Sequence, residues 1–180
     1  AKEYFEYASY IEGKAEKAEA YFNLSSVELR ISWDKPNIEK SIEYAKKSIE
    51  SYPDYPMGYI ALARGYYMLN DTKYNTDIET NLNKAIALNP NTYLGYRYFW
   101  MYYLDNNDMK KFNEYIDTSS QAVEKDPILM EHNKEYVLLQ NDMLKIFFQV
   151  DLWEYKALYE WDDYFKAIIQ EQMERKDFWI

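Results

Sequence analysis

The chain contains no cysteine and only one histidine, His132, among its 180 residues. Without cysteine it can form no disulfide, no thiolate metal site and no cysteine nucleophile. No second histidine or cysteine accompanies His132, so we interpret it as a surface residue and not as a metal ligand or catalytic base. These absences leave localisation open, because a cytoplasmic protein and an exported mature chain can both lack cysteine.

Glycine and long apolar runs are also scarce. The four glycines form no loop that could cradle a phosphate. The longest apolar run, Tyr98 to Leu104, is far shorter than the ~20 residues that a membrane-spanning helix needs. The formal net charge is −10, whereas a nucleic-acid binder needs lysine and arginine to displace counterions from phosphates. We therefore expect no membrane span, no anionic membrane surface as a partner and no nucleic acid.

Carboxylates are plentiful, but their spacing is not that of a metal site. Pairs such as Asp105 with Asp108, or Asp162 with Asp163, could bind a cation, yet no calcium loop with its glycine and terminal glutamate is present. No serine lies in the turn that presents a catalytic nucleophile. We expect no catalytic residue, no metal and no cofactor, and we interpret the protein as a non-enzyme.

Three prolines follow helix-like segments at a fixed interval. Pro53, Pro90 and Pro127 lie 37 residues apart, and they end the similar stretches KSIESYP, KAIALNP and QAVEKDP. Because proline cannot donate a backbone hydrogen bond inside a helix, each one predicts a helix end. An apolar stretch of helical period follows each proline, and polar turns are predicted at Trp33-Asp34, Asn70-Asp71 and Asn106-Asn107-Asp108. Each repeat therefore reads helix, turn, helix, proline.

This pattern resembles the tetratricopeptide repeat (TPR) family. The resemblance rests on Tyr59, Leu62, Ala63 and Tyr66 in one first helix, and on Ala85 and Ala122 before the next two prolines. It covers residues 16 to 142 and implies an all-α fold, an α–α superhelix in which antiparallel helix pairs stack as a solenoid. The four named first-helix residues are then expected to point to the core. The abundant tyrosines and tryptophans are mostly expected there too.

The sequence departs from the family in its period and in several side chains. The family period is ~34 residues, and the three extra residues lie between turn and proline, where they lengthen the second helix or its entry. Trp100 stands where the family prefers a small residue, and Ser41, Ile78 and Tyr115 stand where it prefers alanine. We expect the helix pairs to be splayed or rotated as a result.

We predict a single domain over residues 1–180. An N-terminal helix takes about residues 1–15, with Gly13 near its end, and the repeats take residues 16–53, 54–90 and 91–127. Residues 128–180 hold a partial repeat and a long C-terminal capping helix, for which Asp151 is the predicted N-cap.

The resemblance implies protein recognition, with a partner peptide held in a concave groove that the first helices line. The residues predicted to line this groove are mainly apolar and aromatic, a composition typical of interface hot spots. Arg64, Arg97 and Lys134 add positive charge that could grip a carboxylate; an ion pair between these arginines and Asp105 is the alternative. The predicted groove residues are Met57, Ile60, Arg64, Tyr67, Leu94, Arg97, Met101, Leu104, Lys134 and Leu138.

Two other functions remain open from the sequence. The chain could be a structural module that self-associates through aromatic residues near its C-terminus, namely Trp153, Trp161, Phe178 and Trp179. A small-ligand or catalytic role is the third possibility. The residues identify neither the partner nor the oligomeric state, so a protein or peptide partner and a homo-oligomer are both compatible with them.

Overall fold

The computed structural model describes residues 12–125 and 131–149, and all regular structure among them is helical. The prediction of an all-α fold is confirmed. The chain divides into two compact units, Ala1–Leu138 and Leu139–Ile180, and the packing described below lies within the first. The prediction of a single domain stays a prediction.

Seven α-helices and one short 3-10 turn occupy the described residues. The helices are α1 (Lys14–Ile31), α2 (Lys35–Ser51), α3 (Pro56–Leu69), α4 (Asn75–Leu88), α5 (Tyr93–Asp105), α6 (Met109–Lys125) and α7 (Glu131–Gln149). The 3-10 turn, Thr72–Tyr74, precedes α4. Consecutive helices from α1 to α6 pack against each other, and α3 also contacts both α1 and α5.

The helix ends follow the predicted signals. Asp34 caps α2 by accepting a hydrogen bond from the Asn37 backbone amide at 3.0 Å. The turns after α3 and α5 contain Asn70 (φ 49°) and Asn107 (φ 57°), both in the left-handed region that asparagine tolerates. Pro53 and Pro90 lie between helices, as predicted. The third proline, residues 1–11 of the N-terminal helix and the capping helix lie outside the described residues.

The 37-residue period recurs as a repeated hydrogen bond. The Tyr59 hydroxyl donates to the Pro53 carbonyl at 3.0 Å, and the Tyr96 hydroxyl donates to the Pro90 carbonyl at 3.0 Å. Donor and acceptor are each displaced by the same 37 positions. The repeated sequence therefore produces the same local structure twice.

The extra residues of the period are used in two ways. In one repeat the 3-10 turn Thr72–Tyr74 precedes a second helix, α4, of 14 residues. In the next repeat α6 begins soon after the turn and runs for 17 residues. The two repeats thus differ in how the turn joins the second helix.

Large aromatic side chains fill the space between α5 and α6. Trp100 is buried and meets Phe112 edge-on, with ring centroids 6.1 Å apart. Tyr115 stacks on the fully buried Phe99 at 4.4 Å between centroids. Trp100 and Tyr115 are two of the departures from the family pattern, and together they build an aromatic core where that pattern would place small residues.

A mainly aliphatic core joins α1, α2 and α3. Leu62 and Ala63 are buried, as predicted, but Tyr59 and Tyr66 are only half-buried. Tyr66 stacks on Tyr74 of the 3-10 turn, with ring centroids 4.6 Å apart, and the Tyr59 hydroxyl reaches the Pro53 carbonyl before α3. The buried members of this core cluster are Leu29, Ile38, Ile42, Ala45, Ala61 and Leu62.

The backbone of α3 approaches α2 closely at two glycines. A Cβ atom added at Gly65 would lie 2.5 Å from Cγ1 of Ile42, and one added at Gly58 would lie 3.0 Å from the Ser48 hydroxyl oxygen. Real Cβ atoms do not approach a carbon atom to 2.5 Å, so Gly65 in particular permits the observed separation of the two helices.

A buried hydroxyl pair connects α1 to α2. The Oγ atoms of Ser25 and Ser41 lie 2.7 Å apart, and both residues are fully buried. Ser41 occupies a position where the family prefers alanine, and its partner Ser25 explains how this polar group can be buried without a large cost.

We expect Leu62→Ala to lower the free energy of unfolding by about 2–5 kcal/mol, because it leaves a cavity in the α1–α3 core. Ile31→Ala is the matched control, since Ile31 is 60% exposed and exposed substitutions usually change stability by less than about 0.5 kcal/mol. Urea unfolding followed by circular dichroism measures both. Equal shifts in the two variants would contradict the placement of Leu62.

We expect Ser25→Ala and Ser41→Ala each to lower the unfolding free energy by about 1–3 kcal/mol, because each leaves a buried hydroxyl without its partner. The double variant should cost less than the sum of the two single changes, since it removes both polar groups. A double-mutant cycle in urea measures this coupling. Strictly additive effects would show that the two hydroxyls do not interact.

Candidate functional site

Two side-chain hydrogen bonds join the first helices of successive repeats, α1, α3 and α5. Nη2 of Arg64 on α3 donates to the Ser26 hydroxyl of α1 at 3.0 Å. The Tyr67 hydroxyl, also on α3, donates to the Asp105 carboxylate of α5. Residues three apart lie on one helix face, so Arg64 and Tyr67 lie on the same face of α3. Through these two residues α3 is hydrogen-bonded to both α1 and α5.

The structure places nearly all of the predicted groove residues at intermediate exposure. We call the part of this set that lies on α3 and α5 the first-helix face. It consists of Met57, Arg64, Tyr67, Leu94, Arg97, Met101 and Leu104, each half-buried. Half-buried side chains of this kind retain surface that a partner could contact.

The prediction for Ile60 is wrong. Ile60 is only 2% exposed and belongs to the core. Its neighbours Ala61 and Ala63 are both fully buried, so this segment of α3 is enclosed by the helices around it. The periodicity of one helix does not show how closely α1 and α5 flank α3.

The two arginines of the first-helix face differ in their partners. Arg64 bonds to Ser26, while its buried Nε has no hydrogen-bond partner among the described residues. Arg97 forms no ion pair and no hydrogen bond with any residue in the described part of the chain. The alternative in which Asp105 pairs with an arginine is wrong, because no ion pair joins Asp105 to an arginine among the described residues. Its carboxylate instead accepts a hydrogen bond from Tyr67.

Burial of Tyr67 and its bond to the Asp105 carboxylate raise the pKa of its phenol well above the usual value, with burial as the larger cause. The neutral phenol can donate the hydrogen bond, whereas the phenolate cannot. Tyr67 is therefore a permanent donor at neutral pH, and the link between α3 and α5 does not depend on pH in that range.

Lys134 lies in the first turn of α7, and its side chain reaches the C-terminal end of α6. Its Nζ donates to the Glu124 backbone carbonyl at 3.3 Å, in the last turn of that helix. A cation at a helix C-terminus is favoured by the exposed carbonyls and the helix dipole. Leu138, the last predicted groove residue, is half-buried in α7. The structure therefore gives Lys134 a helix-capping role that its position in the predicted stripe did not suggest.

A pocket of about 90 Å³ lies where α3 and α5 end. Its lining includes the tyrosines Tyr66, Tyr67 and Tyr102, together with Asp71 and Asp105. No feature of the sequence predicted this pocket. The Tyr67–Asp105 pair at its edge is offset by 38 residues, one more than the period, and the Arg64–Ser26 pair has the same offset.

The described residues show neither a metal site nor a membrane span. Within the described residues no group of three or more histidines or carboxylates could hold a metal ion. None of the described helices is both long and apolar enough to cross a bilayer. The side chain of His132 and the C-terminal aromatic residues Trp153, Trp161, Phe178 and Trp179 lie outside the described part.

Comparison with known proteins adds no family. No protein-family model matches the sequence, and no curated protein matches it at a significant level.

We expect the stability of the protein to fall as the pH rises above about 10, the ordinary tyrosine pKa. Burial raises the pKa of Tyr55 to about 12, and the pKa of Tyr67 is raised as well. The unfolded state then loses tyrosine protons at lower pH than the folded state, so the stabilisation is complete below about pH 10 and is lost as pH rises through the folded values.

The measurement is urea unfolding at several pH values between about 9 and about 12. Tyr67→Phe removes one of these protons and should give a shallower loss of stability with pH, whereas Tyr52→Phe, at an exposed position, should follow the wild type. A stability that stays constant across this range would contradict the prediction.

Proposed function

We propose that this chain is a non-catalytic, protein-binding module of TPR type whose first-helix face holds an acidic segment of a partner protein. The support for the TPR-like architecture is the repeated helix pair, with its repeated tyrosine-to-proline hydrogen bond and the contacts of α3 with α1 and α5. In such an array the first helices line a concave surface of the superhelix.

The observation that carries the proposal is the state of Arg97. It is half-buried on α5 and has no ion pair or hydrogen bond among the described residues, although the chain has a net charge of −10. A guanidinium without an internal carboxylate partner is available to bind one from outside in a bidentate manner.

The neighbours of Arg97 add apolar contact area. Leu94, Met101 and Leu104 are half-buried on the same helix, and methionine adapts its shape to different partners. A ligand that combines a carboxylate with aliphatic side chains would therefore use both kinds of contact. Arg64 adds a second positive charge to the first-helix face, and its bond to Ser26 gives it a structural role as well.

The test is selection of peptides from a random display library by the immobilised full chain. We expect the selected peptides to be enriched in aspartate and glutamate next to aliphatic residues. Arg97→Glu should weaken binding of the best peptide by more than about tenfold, or ~1.4 kcal/mol. The loss should be larger at low salt, where charges are screened less.

Lys46→Glu is the matched control, because it makes the same change of charge at an exposed position on α2. Arg64 is not suitable for this test, since its substitution also removes the bond to Ser26. Binding that is unchanged in a folded Arg97→Glu variant, or selected peptides without acidic residues, would refute the acidic-segment proposal.

A further inference from the structure

The pocket at the ends of α3 and α5 is large enough to hold a small polar group. Its volume of about 90 Å³ is several times the ~10–15 Å³ that one water molecule requires. It is open to solvent on one side, and the buried Ile78 of α4 contributes to its lining. A group of a few heavy atoms can therefore enter from outside.

Aromatic rings form much of the lining. Tyr66 and Tyr67 are half-buried, while Tyr102 is buried. Tyr66 is held in place by stacking on Tyr74, with ring centroids 4.6 Å apart. Fixed tyrosine rings attract cations through their negative faces, and arginine also stacks on them.

All the charged side chains that line the pocket are acidic. No lysine, arginine or histidine is among its lining residues, whereas Asp71 and Asp105 both are. Asp71 is already engaged, since its carboxylate forms an ion pair with Nζ of Lys73 at 2.7 Å and accepts from the Lys73 backbone amide. Asp105 bonds to Tyr67 alone among the described residues, so its carboxylate can accept further hydrogen bonds.

We propose that this pocket binds a guanidinium group, with Asp105 as its carboxylate partner and the tyrosine rings as stacking surfaces. A guanidinium is favoured over an ammonium because it is planar, is weakly hydrated and donates in a fork that matches a carboxylate. The proposal goes beyond the binding of an acidic segment, because it concerns the opposite charge and a different set of contacts. The guanidinium could belong to an arginine side chain of a peptide or to free arginine.

The experiment titrates N-acetyl-L-arginine methylamide into the full-length, ¹⁵N-labelled chain. The side-chain amide signals of Asn70, Asn75 and Asn106, which line the pocket, report on its occupation in NMR spectra. We expect saturable shifts of these signals, and no such shifts with the citrulline derivative, whose side chain has nearly the same shape but no charge. A parallel titration with free L-arginine separates the two sources, because only a site for a peptide side chain favours the blocked derivative.

Asp105→Asn tests the carboxylate while retaining an oxygen that can accept from Tyr67. It should weaken binding of the arginine derivative by about tenfold or more. Asp54→Asn, which makes the same charge change at an exposed position before α3, should not. Equal shifts with the citrulline derivative, no saturable shift, or unchanged binding in a folded Asp105→Asn variant would overturn the proposal. None of these results bears on the acidic-segment proposal, because N-acetyl-L-arginine methylamide carries no carboxylate.

Discussion

The close approach of α3 to α2 is the constraint on which the arrangement of the first helices depends. Gly65 has no Cβ atom, and only this absence lets the two backbones pack with the Ile42 side chain between them. With α3 fixed at this distance, Arg64 reaches Ser26 on one side and Tyr67 reaches Asp105 on the other. The first helices α1, α3 and α5 are thus connected by two side-chain hydrogen bonds, while α3 also packs against α2.

The helices themselves could be predicted from the sequence, because their ends are encoded locally. Asp34 and the proline two residues later start a helix through short-range geometry alone, and Asn70 ends one by adopting a left-handed conformation. The depth of burial could not be predicted in the same way. Ile60 and Tyr66 depend on how closely neighbouring helices pack, which the periodicity of a single helix does not contain.

Pairing between side chains was the least predictable feature of the site. From the sequence, Asp105 was an obvious ion-pair partner for an arginine, yet it accepts a hydrogen bond from a tyrosine of the preceding repeat. Facing positions on adjacent first helices are 38 residues apart, one more than the period, and this offset places Asp105 opposite Tyr67. That offset reflects the crossing of the helices, and it appears only when they are assembled. Arg97 therefore has no carboxylate partner among the described residues, and its guanidinium gives the first-helix face positive charge.

The repeated bond from a tyrosine hydroxyl to a proline carbonyl has a consequence for how such a chain can change in length. Each junction is closed by residues six positions apart, Tyr59 with Pro53 and Tyr96 with Pro90, so both partners of this bond are close in sequence. A 37-residue segment from residue 54 to residue 90 carries the tyrosine of one junction and the proline of the next, so its duplication or deletion leaves each such tyrosine with a proline six positions before it. The tyrosine–proline hydrogen bond at each junction can therefore be kept when the number of helix pairs changes by whole repeats.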